Sequence, residues 1–314
     1  MSGVLTIGVD IGGTKIAAGV VDPEGNVLAK ALRPSTPEDP AGIEAAIVDA
    51  VTELRRQHDV QAVGVAAAGF ISPDRDHVLF APNIAWRDYP LAARLQAGID
   101  LPLVIENDAN AAGWAEYRFG AGAGKRNVVM LTVGTGIGGA LVVDGRLVRG
   151  AFGAGAELGH IKVVPGGRYC GCGHAGCWEA YASGTGFTMA ARNVAVAQPA
   201  RAAALLEAAA GDEVQGIHVT SAARAGDDLA LELFADLGTW LGLGMATLTA
   251  VTDPELFVIG GGLGEEWDLF FPAIRRSFEA NLSGNGFRGE PAIVPAVLAN
   301  DAGIVGAGDL ARST

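Results

Sequence analysis

Cysteine is almost absent from this 314-residue chain: there are 3, and all of them fall between Cys170 and Cys177. An odd count excludes a framework built only of disulfides. Basic residues are also scarce. Against 35 Asp and Glu stand 22 Lys and Arg, a formal charge of −13, and no stretch is rich in Lys or Arg. That excludes a general nucleic-acid binder, which carries a basic footprint. Long hydrophobic runs are missing too. The longest apolar region, Leu237 to Val251, contains Gly and Thr. It falls short of the ~20 residues that span a bilayer and reads as a buried helix. The N-terminal "MSGVLTIGVD" enters a strand-like run at once, without the basic flank of a signal peptide. No Ser/Pro-rich linker divides the chain. The expectation is a soluble cytoplasmic protein of two lobes, each of ~150 residues.

What the chain does hold is glycine, 46 residues gathered in turns after apolar runs. "VLTIGVD" reads as a strand, "IGGTK" as a glycine turn, "IAAGVVD" as a second strand, "PEGN" as a turn and "VLAKAL" as a third strand. Asp39-Pro40 opens a helix, an N-cap followed by Pro at the first helical position. Ile43, Ile47, Val51 and Leu54 recur along it at helical spacing. "QAVGVAAAGFI" and "LPLVIEND" read as buried strands. The pattern then returns: "NVVMLTVGTGIGGALVVDGRLVRG" is again strand, glycine turn, strand, short turn, strand. A third apolar run ending in glycines, "LFVIGGGLG", follows the buried helix, and "RNVAVAQPARAAALLEAAAGDEV" is Ala-rich and helical. This repetition predicts two similar α/β lobes facing each other across a cleft.

Glycine turns after strands expose N–H groups that can cradle phosphate oxygens. Gly12-Gly13-Thr14-Lys15 is one such turn, with Asp10 placed to hold Mg²⁺ directly or through water. It has neither Walker A spacing nor the helix that follows a dinucleotide fingerprint. Gly134 to Gly139 is a second, and Gly260-Gly261-Gly262 would let the backbone approach a base or ribose. Each alone is equally a hairpin turn; two of them, one per lobe, can hold the phosphates of one nucleotide. In "ENDAN", Glu106 to Asn110, Asp108 either caps a helix or stands as a carboxylate that accepts a hydroxyl proton. The cysteines follow the pattern C-x-C-x4-C, a thiolate set for zinc, with His160 or His174 as fourth ligand. Glu157, His160 and Glu179 flank them, and acceptors at several angles suit a polyol.

Taken in order, Asp10 to Lys15, Glu106-Asn107-Asp108, Glu157 to His160, Cys170 to Cys177 with Glu179, and Ile259 to Gly262 resemble the motifs of the ROK family (repressors, open-reading-frame proteins and sugar kinases). The resemblance covers essentially the whole chain. Within the family it is closest to the actinobacterial-type ATP-dependent glucokinases. It implies an α/β fold of the two-lobed actin-like ATPase (ribonuclease-H-like) kind with an interlobe cleft. Residues 1–109 plus 300–314 would form the small N-terminal lobe, and 110–299 the large lobe with the zinc loop. The implied reaction is transfer of the γ-phosphoryl of ATP to the 6-hydroxyl of glucose, with Mg²⁺ and a structural Zn²⁺. A homodimer or homotetramer is implied, with no nucleic-acid or membrane partner.

The resemblance also implies roles. Asp108 is the catalytic base. Gly69, Asn83, Asn107, Asp108, Glu157, His160 and Glu179 bind the sugar, and Trp86 lies in the same segment as Asn83. His160, Cys170, Cys172 and Cys177 bind zinc, one nitrogen of His160 on the metal and the other toward a sugar hydroxyl. Asp10, Gly12, Gly13, Thr14, Lys15, Thr135, Gly136 and Gly138 serve the ATP phosphates and Mg²⁺, and Gly261 and Gly262 the adenosine. Disturbing the zinc loop is expected to affect use of the sugar strongly and use of ATP little, because the nucleotide turns lie elsewhere in the sequence. One departure is visible: Ala67-Ala68-Gly69-Phe70 stands where many members carry Pro-Gly-Pro. N-acetylmannosamine, N-acetylglucosamine, fructose or allose are alternative sugars, and polyphosphate an alternative donor. A sugar-sensing ROK regulator would need a helix-turn-helix domain before the first glycine turn, which begins at Gly12.

Overall fold

A computed structural model describes residues 3–313. They form two compact units. The first runs to Met130 and adds Gly139–Ala156 and the residues from Ala296 onward; the second comprises Leu131–Gly138 and Glu157–Pro295.

In the first unit, β1 (Leu5–Ile11), β2 (Lys15–Val21) and β3 (Val27–Pro34) pair antiparallel in succession. Helix α1 (Pro40–Arg55) starts where the sequence places it. The Asp39 carboxylate accepts the Gly42 N–H at 3.0 Å, Pro40 follows the cap, and Ile43, Ile47, Val51 and Leu54 are buried. Strand β4 (Val60–Ala67) lies parallel to β1. Strands β5 (Phe70–Ile71), β6 (Val78–Phe80) and β7 (Arg87–Tyr89) form a small antiparallel sheet. After α2 (Leu91–Gln96), β8 (Leu103–Asn107) adds parallel to β4, giving the order β3-β2-β1-β4-β8. Register puts Ile11, Ala67 and Asn107 side by side at the carboxyl ends of three parallel strands. Open α/β sheets bind ligands just beyond that edge.

Helix α3 (Asp108–Phe119) follows β8 directly. The C-terminal helix, Ala302–Ala311, lies on the sheet at glycines. A Cβ at Gly8 would stand 1.8 Å from the Ile304 carbonyl oxygen, and one at Gly64 1.9 Å from that of Ala307. The same helix meets α3: the Trp114 Nε1–H and Arg118 Nη1–H both donate to the buried Asp309 carboxylate, at 2.8 and 2.9 Å. These contacts hold α3 within the first unit.

The second sheet has the order β11-β10-β9-β12-β13. It is built from β9 (Val128–Val133), β10 (Ile137–Val143) and β11 (Arg146–Leu147), and from two later strands. The helices α4 (Glu179–Ala182), α5 (Gly184–Ala197), α6 (Ala203–Ala209) and α7 (Gly216–Arg224) belong to the second unit. The Ala-rich stretch is therefore two helices, parted after Gln198, where Pro199 cannot continue the first. Helix α8 (Asp228–Thr252) is longer than the apolar run from Leu237 suggested, because Asp227 caps it by accepting the Ala230 N–H at 2.9 Å. By length and composition it could cross a membrane, but most of its apolar stretch is buried. Strand β12 (Leu256–Gly260), α9 (Trp267–Asn281) and β13 (Ala292–Pro295) complete the unit. Gly238 and Gly242 let α8 press on α9: Cβ atoms there would lie 2.4 and 2.5 Å from the Phe270 and Ile274 carbonyl oxygens.

Candidate active site

The β8–α3 junction decides what Asp108 can do. Asn107, not Asp108, caps α3: its Oδ1 accepts the Asn110 N–H at 2.9 Å, while its Nδ2–H donates to the Gly69 carbonyl at 3.1 Å. Asp108 is thereby the first helical residue, and its carboxylate is not the one that takes the Asn110 N–H. Burial raises its pKa, against the pull of the Ala109 and Asp108 backbone N–H groups. Behind it, Glu106 is buried and ion-paired. Its Oε2 accepts from Arg149 Nε at 2.6 Å and lies 3.5 Å from Arg75 Nε; its Oε1 accepts from the Asn107 backbone N–H and Asn110 Nδ2, each at 3.2 Å.

Asp10 is the second-last residue of β1 in the same unit. Its carboxyl is pushed from an ordinary 3.8 up to about 6, first by burial and then by the charge of Asp108, with Lys15 opposing. Gly303 lies so close that a Cβ there would stand 2.7 Å from the Asp10 carboxylate. The following turn is closed by the Gly12 N–H on the Lys15 carbonyl at 2.9 Å, and Gly13, Thr14 and Lys15 are exposed. Gly69 has φ +135°, and a Cβ would strike the Phe80 carbonyl at 2.2 Å, so only glycine fits. Asn83 is exposed in the β6–β7 turn. Trp86 is a core side chain, fully buried and stacked on Tyr89.

In the second unit, His160, Cys170, Cys172 and Cys177 bring their donor atoms within 4.8 Å of one another. Cys172 Sγ lies 3.5 Å from Cys177 Sγ, and Cys170 Sγ 3.8 Å from His160 Nδ1. A tetrahedron with bonds of about 2.0–2.3 Å has edges of about 3.3–3.8 Å, so the set fits zinc. His174 Nδ1 lies 3.8 Å from Cys172 Sγ but stands outside the cluster. Burial pushes the Cys170 thiol up to about 12. At Cys172 burial acts the same way, but hydrogen bonds led by those to His174 outweigh it and bring the thiol down to about 7. Lys162 Nζ donates to Cys177 Sγ at 2.9 Å. With Nδ1 of His160 toward the thiols, Nε2 is turned to Glu157, 4.0 Å from its Oε2.

Glu179 opens α4 directly after the cysteine loop. Its Oε1 lies 3.3 Å from Cys170 Sγ, and its Oε2 accepts the Ile137 N–H at 2.9 Å. Ile137 closes the second glycine turn. The cysteine loop and the second glycine turn, remote in sequence, are therefore joined through one carboxylate. The same turn borders a cavity of about 470 Å³, lined among others by Gly134, Thr135, Thr185, Arg192, Gln215 and Gly262. Gly261, at φ +87°, brings β12 against Val133 so closely that a Cβ would stand 2.6 Å from its carbonyl oxygen. Thr185, Arg192 and Gln215 on this lining lie outside the residues the sequence motifs single out. The run Ser183-Gly184-Thr185-Gly186 was the available signal, a capped helix start rich in glycine.

The ROK family model matches residues 6–314. The glucokinase of Streptomyces coelicolor is 49% identical over 310 residues, 98% of either chain. A crystal structure of a ROK family glucokinase from Streptomyces griseus, in complex with glucose and AMPPNP, superposes with a TM-score of 0.88 at 48% identity, over 99% of this chain and 100% of that one. The ROK hexokinase of Thermus thermophilus gives 0.85 at 33% identity, over 99% and 98%. The fold is thus the mixed α/β, actin-like ATPase fold of the sugar kinases. The chain belongs to the ROK family.

Proposed function

We propose that this chain is a glucokinase, transferring the γ-phosphoryl of ATP to the 6-hydroxyl of glucose. The observation that carries the reading is the β8–α3 junction. Asn107 takes the cap, which leaves the Asp108 carboxylate at the carboxyl edge of the parallel strands as a base for a hydroxyl proton. Its raised pKa moves it toward the operating range of a general base. Full-length likeness to glucokinases supports glucose as the acceptor and ATP as the donor.

Phosphoryl transfer needs positioning and charge neutralisation more than covalent chemistry. Asp10 and Asp108 form a like-charge neighbourhood in which the second raises the pKa of the first, and Asp10 would hold Mg²⁺ there. Bound Mg²⁺ neutralises phosphate charge. The turns Gly12–Lys15 and Gly134–Gly138 present backbone N–H groups to the phosphates, and the cavity beside Thr135 and Gly262 takes the adenosine. Gly69, Asn83, Asn107, Glu157, His160 and Glu179 orient the sugar. His160 Nδ1, Cys170, Cys172 and Cys177 would hold zinc in a full tetrahedron with no open position, a structural site. The metal set fixes the imidazole so that Nε2, beside Glu157, meets the sugar.

A coupled assay across a hexose panel, with ATP and polyphosphate as donors, tests the reading. Glucose with ATP should give the highest kcat/KM; another hexose or polyphosphate ahead of that pair would replace it.

A further inference from the structure

A glycine-rich turn pays a large conformational entropy to hold one shape. The Gly134–Gly138 turn is held by one short segment. The Gly184 N–H donates to the Gly134 carbonyl at 2.7 Å, and Thr185 donates to the Thr135 carbonyl through Oγ1 at 2.7 Å and through its N–H at 3.3 Å. A further tie is the Ile137 N–H on Glu179 Oε2, at 2.9 Å. Among the described residues it is the tie made by a carboxylate oxygen, and what it needs is an acceptor at that position. Gly136 is shaped around it: a Cβ there would stand 2.3 Å from the same oxygen.

The segment that makes these ties is itself anchored. Trp178, next to Glu179, is fully buried; its Nε1–H donates to the Trp240 carbonyl at 2.7 Å, and its ring fills the space a Cβ on Gly244 would need. Glu179 therefore starts from a fixed point on α8 and reaches the turn without freedom to drift.

We propose that Glu179 is a positioning residue for the nucleotide: its Oε2 holds the Ile137 N–H, and through it the phosphate turn, so that nucleotide affinity depends on Glu179 with no sugar present. This rests on the kinase reading, in which the turn binds phosphates, and extends it by giving the proposed sugar ligand a second task at the donor site.

The test is calorimetric titration with a non-hydrolysable ATP analogue and Mg²⁺, without sugar, of the wild type, Glu179→Gln and Glu179→Ala. Loss of an orienting partner costs about 10–100-fold, and the Ala variant should bind the nucleotide that much more weakly. The Gln variant keeps a carbonyl that accepts the Ile137 N–H and should stay within about threefold of the wild type. Equal affinity of Ala and wild type overturns the inference and leaves the kinase reading standing, as does equal loss in Gln and Ala. A wild type that binds no nucleotide overturns both. Should the Ala variant fail to fold, Gly136→Ala takes its place, since its Cβ must displace the carboxylate. Faster hydrogen exchange at the Ile137 amide with weaker nucleotide binding supports the inference; unchanged exchange and affinity overturn it.

Discussion

Replacing Asn107 separates the two tasks of its amide. Oδ1 caps α3 through the Asn110 N–H at 2.9 Å, and Nδ2 ties the junction to the Gly69 carbonyl at 3.1 Å. Alanine removes both. The cap contributes about 1 kcal/mol and the second bond about 1 kcal/mol, so Asn107→Ala should lose about 2 kcal/mol in urea unfolding. Serine keeps a capping oxygen but cannot reach Gly69, and should lose about 1 kcal/mol. The kinetic consequence is sharper. With the cap gone, Asp108, whose carboxylate already faces the Ala109 and Asp108 N–H groups, is the next side chain able to take the orphaned Asn110 N–H, and that would draw its carboxylate away from the hydroxyl it should deprotonate. Misplacement by about 1 Å costs about 10²-fold. In steady-state assays at saturating ATP, kcat of Asn107→Ala should fall about 10²-fold, whereas Asn107→Ser should stay within about 10-fold. Both should raise KM for glucose. Equal kcat in the two variants, or an alanine variant as stable as the wild type, would refute the reasoning.

Asp10, raised to about 6, holds a proton in the folded state that the unfolded chain releases near 3.8, so its contribution to stability is lost as pH rises through that window. Asp10→Asn should therefore stabilise the fold at pH 7, by up to about 3 kcal/mol, and much less at pH 4, while abolishing Mg²⁺-dependent turnover; equal shifts at the two pH values would contradict this. Cys172→Ser should lower zinc from one per chain by elemental analysis and raise KM for glucose about 10–100-fold. Because Glu179 joins the cysteine loop to the phosphate turn, KM for ATP should rise too, and an unchanged value would sever that link. Glu106→Gln leaves Arg149 and Arg75 without their buried partner and should cost about 3–5 kcal/mol in denaturant unfolding; a loss under about 1 kcal/mol would show the pair to be solvated.

Strands and turns of the first fifty residues were legible because each signal is local: a short apolar run, a glycine turn, an Asp-Pro start. The cysteine cluster was legible because C-x-C-x4-C leaves few other readings, and the choice of His160 over His174 followed from the family pattern. What stayed hidden depends on contacts between distant segments. Nothing near "ENDAN" says whether Asn107 or Asp108 caps, because the answer depends partly on the Gly69 carbonyl. The Glu179–Ile137 bond spans the β10–β11 hairpin and the whole cysteine loop. The C-terminal helix escaped notice because "AGIVGAGDLA" is glycine-rich; its glycines serve close packing, as where Gly303 meets Asp10. Asn83 and Trp86 sit three residues apart in one segment, yet one is exposed and the other is core.

Asp108→Asn tests most directly whether Asp108 is the base. Asparagine keeps the size and the first helical position but cannot accept the hydroxyl proton. Glucose and ATP affinities, measured by calorimetry on the same preparation, should stay close to those of the wild type, while kcat falls by about 10²–10⁴-fold. A variant that binds both substrates and turns over within a few-fold of the wild type would contradict that role.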